Sequence, residues 1–197
     1  MSATFVEQLR AELPVQLQPC DLAGVEAGLV IADASDRPGD AEVAVALMDR
    51  IARAFIRRRA GVLAFVDEPP AATLPALHWL EDDPDVTVLR KNCVNGFVGA
   101  IEAVHHGIHG TTRNRAVDWV NAHRVRTLIV AGLGTDAGVM EFVLAMLSAR
   151  NHGLMPTLGD IVVLTPALAA SQPLAHHLGL HLMAARGALL AGELSGV

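Results

Sequence analysis

Charge is scarce in this 197-residue chain and lysine scarcer still: Asp, Glu, Lys and Arg make up 18% of the residues, and of fifteen basic residues fourteen are arginine. With 52% of the residues apolar, the chain has ample material for a core, which excludes intrinsic disorder. No uninterrupted apolar run approaches the ~20 residues of a bilayer-spanning helix. The N-terminal MSATFVEQLR also lacks the basic-then-apolar form of a signal peptide, so a cytoplasmic protein with no membrane association is expected. Cys20 and Cys93 make one bridge at most and suit a reducing compartment. A net charge of −6 gives no electrostatic reason to bind nucleic acid, and the FIRRR run at 55–59 reads as cations closing a helix C-terminus. Repeats and low-complexity tracts are absent, and the length suits one domain, taken as residues 1–197.

Five apolar, β-branched runs stand out: 28–33, 62–67, 86–90, 127–131 and 161–165. Helical patterns separate them, which predicts an α/β fold: a Rossmann-like, doubly wound parallel sheet of five or six strands with helices on both faces. In DAEVAVALMDRIARAFIRRR, residues Val43, Leu47, Ile51 and Phe55 fall four apart and predict a crossover helix. Further helices are expected in TLPALHWLEDD, RAVDWVNAHR, GVMEFVLAMLSARN and PLAHHLGLHLMAARGALL, and Gly153 is a plausible helix stop. The stretch AIEAVHHGIHGTTRNR, 100–115, has the least pattern and reads as a mobile loop.

In such sheets ligands bind beyond the carboxyl ends of the strands, where strand order reverses. Asp33 ends the first run, Asp67 the second, Lys91 follows the third and GLGTDAG follows the fourth, so these distant residues are expected at one edge. Lys91 is the only lysine, which fits a need for a compact, adjustable ammonium as well as it fits chance. Asp33 suits a buried general acid or base, or the cap of the turn-rich DASDRPGD. GLGTDAG has the form of a strand feeding a helix N-terminus, yet Gly138, best placed to carry a nucleophile, has no side chain.

The motifs LVIAD, RKNCVNGFVGAI, LIVAGLGTDAGVMEFVLAMLSARNHG and LAHHLGLHLMAARGA, in that order, resemble the isochorismatase-like (cysteine hydrolase) superfamily, and within it the plant-type nicotinamidases. The resemblance runs from about residue 28 to 189 and implies oligomers and a catalytic Asp, Lys and Cys that hydrolyse an amide through a thioester. Carried over by position, these fall on Asp33, Lys91 and Gly138, so the cysteine is replaced. The resemblance further implies an oxyanion or ligand-binding pair of backbone amides at Gly134 and Gly138, which survive loss of the thiol. The family's metal-binding Asp-x-His becomes Asp67 followed by Glu68 and Pro69, and the loop bringing another His is shortened; Asp67 is thus vestigial, and no metal or cofactor is expected. Ser35 and Pro38 stand where the family's pocket Gln and Phe belong.

Cys93, near Lys91, is a tempting substitute nucleophile, but the resemblance implies a cysteine at this place in addition to the nucleophile, so a packing role is expected. His105, His106 and His109, and His176, His177 and His181, look like ligand sets, but the first lacks a supporting carboxylate or cysteine and the resemblance implies a packed C-terminal helix for the second, so neither is expected to bind metal. Three functional readings compete: a non-catalytic relative (a pseudoenzyme) that binds a small molecule or pairs with an intact paralogue; a Cys-independent, isochorismatase-type hydrolase with Asp33 as general acid; and an ordinary cysteine amidase, which the glycine opposes. An apolar chain with Trp79 and Trp119 on short helices is also expected to form a homo-oligomer.

Overall fold

The computed structural model describes residues 3–35, 41–69, 73–106 and 109–197. Among them, seven strands form one sheet: β1 (Gln18–Asp21), β2 (Ala27–Ile31), β3 (Val62–Asp67), β4 (Val86–Lys91), β7 (Thr127–Leu133), β8 (Asp160–Ala169) and β9 (Leu189–Ser195). A separate antiparallel hairpin, β5 (Ile101–His106) and β6 (His109–Asn114), completes the strands. The sheet order is β1-β9-β8-β7-β2-β3-β4, and every ladder in it is parallel. The chain runs outward from β2 through β3 to β4, then returns to the other side of β2 with β7. Strand order therefore reverses between β2 and β7, whose carboxyl ends lead into Asp33 and GLGTDAG.

Helices cover both faces. On one side lie α2 (Glu42–Arg57), a 3-10 turn (Pro75–Leu77) and the short α3 (Trp79–Asp82). On the other lie α5 (Arg115–Ala122), α6 (Gly138–Asn151) and α7 (Pro173–Ala185). The remaining helices are α1 (Ala3–Glu12) and α4 (Gly96–Gly99). The central strands are buried on both faces, as all seven residues of β7 show, which is why they read as continuous apolar runs rather than alternations.

The architecture revises several expectations. The sheet has seven strands rather than five or six, because Gln18–Asp21 and Leu189–Ser195 extend one edge. The helical pattern of PLAHHLGLHLMAARGALL predicts a helix running into the second, but α7 stops at Ala185 and Gly187 turns the chain at φ 98°. The expected loop 100–115 instead forms the hairpin, paired from Ile101↔Asn114 to His106↔His109. On α2 the buried stripe is Ala44, Val45, Met48, Ile51, Ala52 and Phe55, while Val43 is 79% exposed. Trp119 is a core residue, and Trp79 is tied down by its Nε1 donating to Asp49 Oδ1 (2.7 Å) under the Arg53 guanidinium, so neither tryptophan marks an open interface.

Candidate active site

Asp33 and Lys91 are fully buried at the carboxyl edge, although they are distant in sequence. Asp33 follows β2, where its Oδ1 accepts from the Ser35 amide (3.0 Å); it serves the turn as well as the site. Lys91 ends β4 in register with Asp67 on β3, and its Nζ forms a close ion pair with Asp67 Oδ1. The same Nζ lies 3.9 Å from Asp33 Oδ2. One ammonium thus serves two carboxylates. Its stem is covered by α4 at Gly99, where an added β-carbon would lie 2.7 Å from Lys91 Cβ.

The third component arrives from the other side of the strand reversal. The ladder between β7 and β8 slips after Val130, and Gly132 adopts φ 146°, where a β-carbon would lie 2.9 Å from the Asp33 amide. Only glycine lets β7 approach β2 so closely there. Gly138 then opens α6, and a β-carbon on it would sit 3.4 Å from Asp33 Oδ2 and 3.1 Å from Val94 O. Asp33 Oδ2 thus lies near both Lys91 Nζ and the start of α6 at Gly138.

The two glycine amides differ. Gly134 N donates to Ala169 O (2.8 Å), so it is already committed within the fold. That revises the expected pair of ligand-facing amides. Gly138 N donates to no backbone carbonyl among the described residues, and it stands at the positive end of α6. Behind it, Thr135 is buried, and its Oγ1 is hydrogen-bonded to His176 Nδ1 (2.9 Å). Burial pushes the His176 pKa below the ordinary imidazole value, with His177 and Arg10 acting in the same direction and Asp136 opposing.

An open cleft of about 410 Å³ lies alongside, lined by Asp67, Glu68, Pro69, Lys91, Asn92, Cys93 and Val94. Pro69 occupies the place expected of a metal-binding His. No group of three or more His, Cys, Asp or Glu among the described residues is arranged to hold a metal ion. The Cys93 thiol donates to Asn95 O (3.2 Å). His177 is hydrogen-bonded to Leu13 O (2.9 Å), so His176 and His177 join elements of the fold. Pro38 and the side chains of His105, His106 and His109 lie outside the described residues.

Sequence reasoning underweighted two groups. The Thr135–His176 bond, which braces the site turn from α7, spans 41 positions and leaves no local signal. Ser35 is buried beside Asp33, and its Oγ has no hydrogen-bond partner among the described residues.

A parallel α/β sheet with a buried Asp and Lys at its reversal point, facing the first turn of a helix, defines an α/β protein whose candidate site lies at the carboxyl edge of its strands. A family model described as "Isochorismatase domain" matches residues 26–192. The chain is also 34% identical to Nicotinamidase 1 of Arabidopsis thaliana, over 74% of this chain and 71% of the other. It belongs to the isochorismatase family. Solved structures share the fold: a nicotinamidase from Staphylococcus aureus (15% identity, 84% of this chain and 99% of that one, TM-score 0.62) and a pyrazinamidase of Pyrococcus horikoshii in complex with zinc (17% identity, 84% and 98%, TM-score 0.62). N-carbamoylsarcosine amidase from Thermoplasma acidophilum is similar too (18% identity, 86% and 99%, TM-score 0.63).

Proposed function

We propose that this chain is a nicotinamidase-like family member without cysteine amidase activity, which binds a small polar molecule at the Asp33–Lys91 edge. The observation that carries this reading is Gly138: a β-carbon there would lie 3.4 Å from Asp33 Oδ2, and the residue has no nucleophilic side chain. Asp33 would accept a hydrogen bond from the ligand, Lys91 would hold a carbonyl or carboxylate, and Gly138 N would donate to developing or resident negative charge. Asp67, taken up by Lys91, acts within this site as a counter-charge rather than as a metal ligand. A cytoplasmic location and a homo-oligomer, or assembly with an intact paralogue, belong to the same reading. No described helix is long and apolar enough to cross a membrane.

The test has two arms. Ammonia release from nicotinamide by the purified chain should be at background, and robust release would refute the reading. A metabolite screen by thermal shift should yield a ligand that stabilises the wild type and not Asp33→Asn; at 100-fold saturation such a ligand adds about 2.7 kcal/mol. The intact buried Asp33–Lys91 pair favours a second reading. In it Asp33 protonates a vinyl ether and water attacks the resulting cation, which needs no covalent intermediate. Turnover of isochorismate, abolished in Asp33→Asn, would select it.

A further inference from the structure

A second groove, of about 580 Å³, runs between α2 and the β8–β9 side of the sheet and shares no residue with the cleft beside Lys91. It forms because α2 packs along β8, while β9 next to it has no helix of its own on that face. Ile51 (8% exposed) and Ala54 from the helix, Leu164 (1%) from β8 and Leu194 from β9 give it an apolar lining. Arg58 braces it by donating to Leu22 O (3.1 Å) and to Gly196 O, which ties the chain after β9 to the end of α2.

Two arginines stand on the helix wall. Arg50 and Arg57 are seven residues apart, which sets them on the same side of α2 about 10 Å from each other along its axis. Neither makes a hydrogen bond or an ion pair among the described residues. The other arginines of this helix end are engaged: Arg53 pairs with Asp49 and lies over Trp79, and Arg58 is bound to carbonyls. Across the groove the one opposing charge in its lining is Glu193 on β9. Two guanidiniums against one carboxylate leave the groove positive by a single charge, which suits one anionic head rather than two. The apolar lining suits an aliphatic body.

We infer that this groove binds a small amphipathic monoanion, an aliphatic carboxylate whose head is held by Arg50 and Arg57 and whose tail lies on Ile51, Ala54 and Leu164. Its volume falls within the roughly 300–1,000 Å³ of small-molecule pockets. The site is distinct from the Asp33–Lys91 edge. The groove lies on the middle of β8, whereas the turn before α6 hangs from the end of that strand, where Ala169 O accepts from Gly134 N and Thr135 N.

The probe is octanoate, titrated into the isotope-labelled full chain and followed by amide NMR, with 1-octanol (no charge) and acetate (no tail) as controls. Octanoate should bind saturably and shift the amides of 47–57 and 190–195, and each control should bind about tenfold more weakly. Arg50→Gln and Arg57→Gln should each weaken octanoate about tenfold. Ala54→Glu sets a carboxylate four residues after one arginine and three before the other, and should abolish binding with the circular dichroism spectrum retained. Arg53→Gln, whose guanidinium is turned to Asp49 and Trp79, should leave the affinity unchanged. Shifts confined to 67–69 and 91–94 would place the anion in the cleft beside Lys91 and overturn the inference. So would an absence of saturable shifts, octanol binding as tightly as octanoate, or full affinity in both Arg50→Gln and Arg57→Gln. None of these readouts involves amide turnover or the Asp33 variants, so failure of the functional reading above would be seen separately.

Discussion

Replacing Lys91 by Met removes the ammonium while keeping much of its stem volume, and the consequence follows from what surrounds it. Lys91 is 1% exposed, in an ion pair with Asp67 and 3.9 Å from Asp33, which is fully buried. Asp67 is 26% exposed and can turn toward the cleft and water. Asp33 has no such escape, so the cost falls mainly on its desolvated charge. Leaving a buried charge without its counter-ion typically costs about 3–5 kcal/mol, which in a chain of this size lowers the melting temperature by roughly 6–20 °C. Urea unfolding of Lys91→Met, Asp33→Asn and the double variant measures this directly. The double variant should recover much of the loss, because the carboxylate that suffered is gone; the coupling between the two sites should exceed about 1 kcal/mol. A Lys91→Met protein within about 1 kcal/mol of the wild type, or strictly additive losses, would refute an electrostatic role for the pair.

Other outcomes follow from the same geometry. Gly138→Cys should fold after a small outward shift of the exposed Val94 loop and acquire a thiol alkylated faster than Cys20, whose pKa burial and the nearby Asp160 and Asp21 push up. It should gain little amidase turnover, measured as ammonia release. His176→Ala leaves the buried Thr135 hydroxyl without its partner and should cost about 1–3 kcal/mol in thermal or urea unfolding near neutral pH. Because the folded pKa of His176 is depressed, its contribution is intact above about pH 6.5 and lost as pH falls toward the folded value; the acid slope of stability should flatten in the variant. Elemental analysis of the purified chain should find zinc, iron and manganese far below one per chain, since Asp67 is engaged by Lys91 and Pro69 offers no donor.

The site was more legible in the sequence than its frame. Asp33, Lys91 and Gly138 could be brought together because each ends or follows a long β-branched run, and the parallel topology sends such ends to one edge. The edge strands carried no such signal. β1 is QPCD, four residues with a proline at a sheet edge, where pairing rather than pattern decides. β9 hid because LL continues the apolar run of α7, although Gly187 was there as a stop. The hairpin escaped because none of its described side chains is buried, so no two-residue alternation is imposed on them. The stripe of α2 was misplaced because Val43 satisfies a four-residue spacing while facing water; the tertiary contacts choose Ala44 and Val45 instead. The Gly134 amide was misassigned for a related reason: its acceptor, Ala169 O, belongs to an irregular end of β8 that the sequence does not announce.

The Lys91–Asp67 contact bears on why Asp67 remains at all. A carboxylate at the end of a buried strand carries a desolvation cost unless a cation offsets its charge. Here the register of β3 on β4 sets Asp67 directly opposite Lys91, so the lysine is shared between Asp67 and Asp33. Sharing weakens its hold on Asp33, which lies at the longer distance of 3.9 Å. Asp67→Asn should then release the ammonium toward Asp33. If Asp33 is the ligand-binding carboxylate, affinity for an anionic ligand should rise in this variant, because the site loses a negative charge and the ammonium stays. Titration calorimetry with the ligand found by thermal shift reads this directly. Unchanged or weaker binding of an anionic ligand would mean that Lys91 is held by the fold and not by Asp67, and that Asp67 has no influence on recognition.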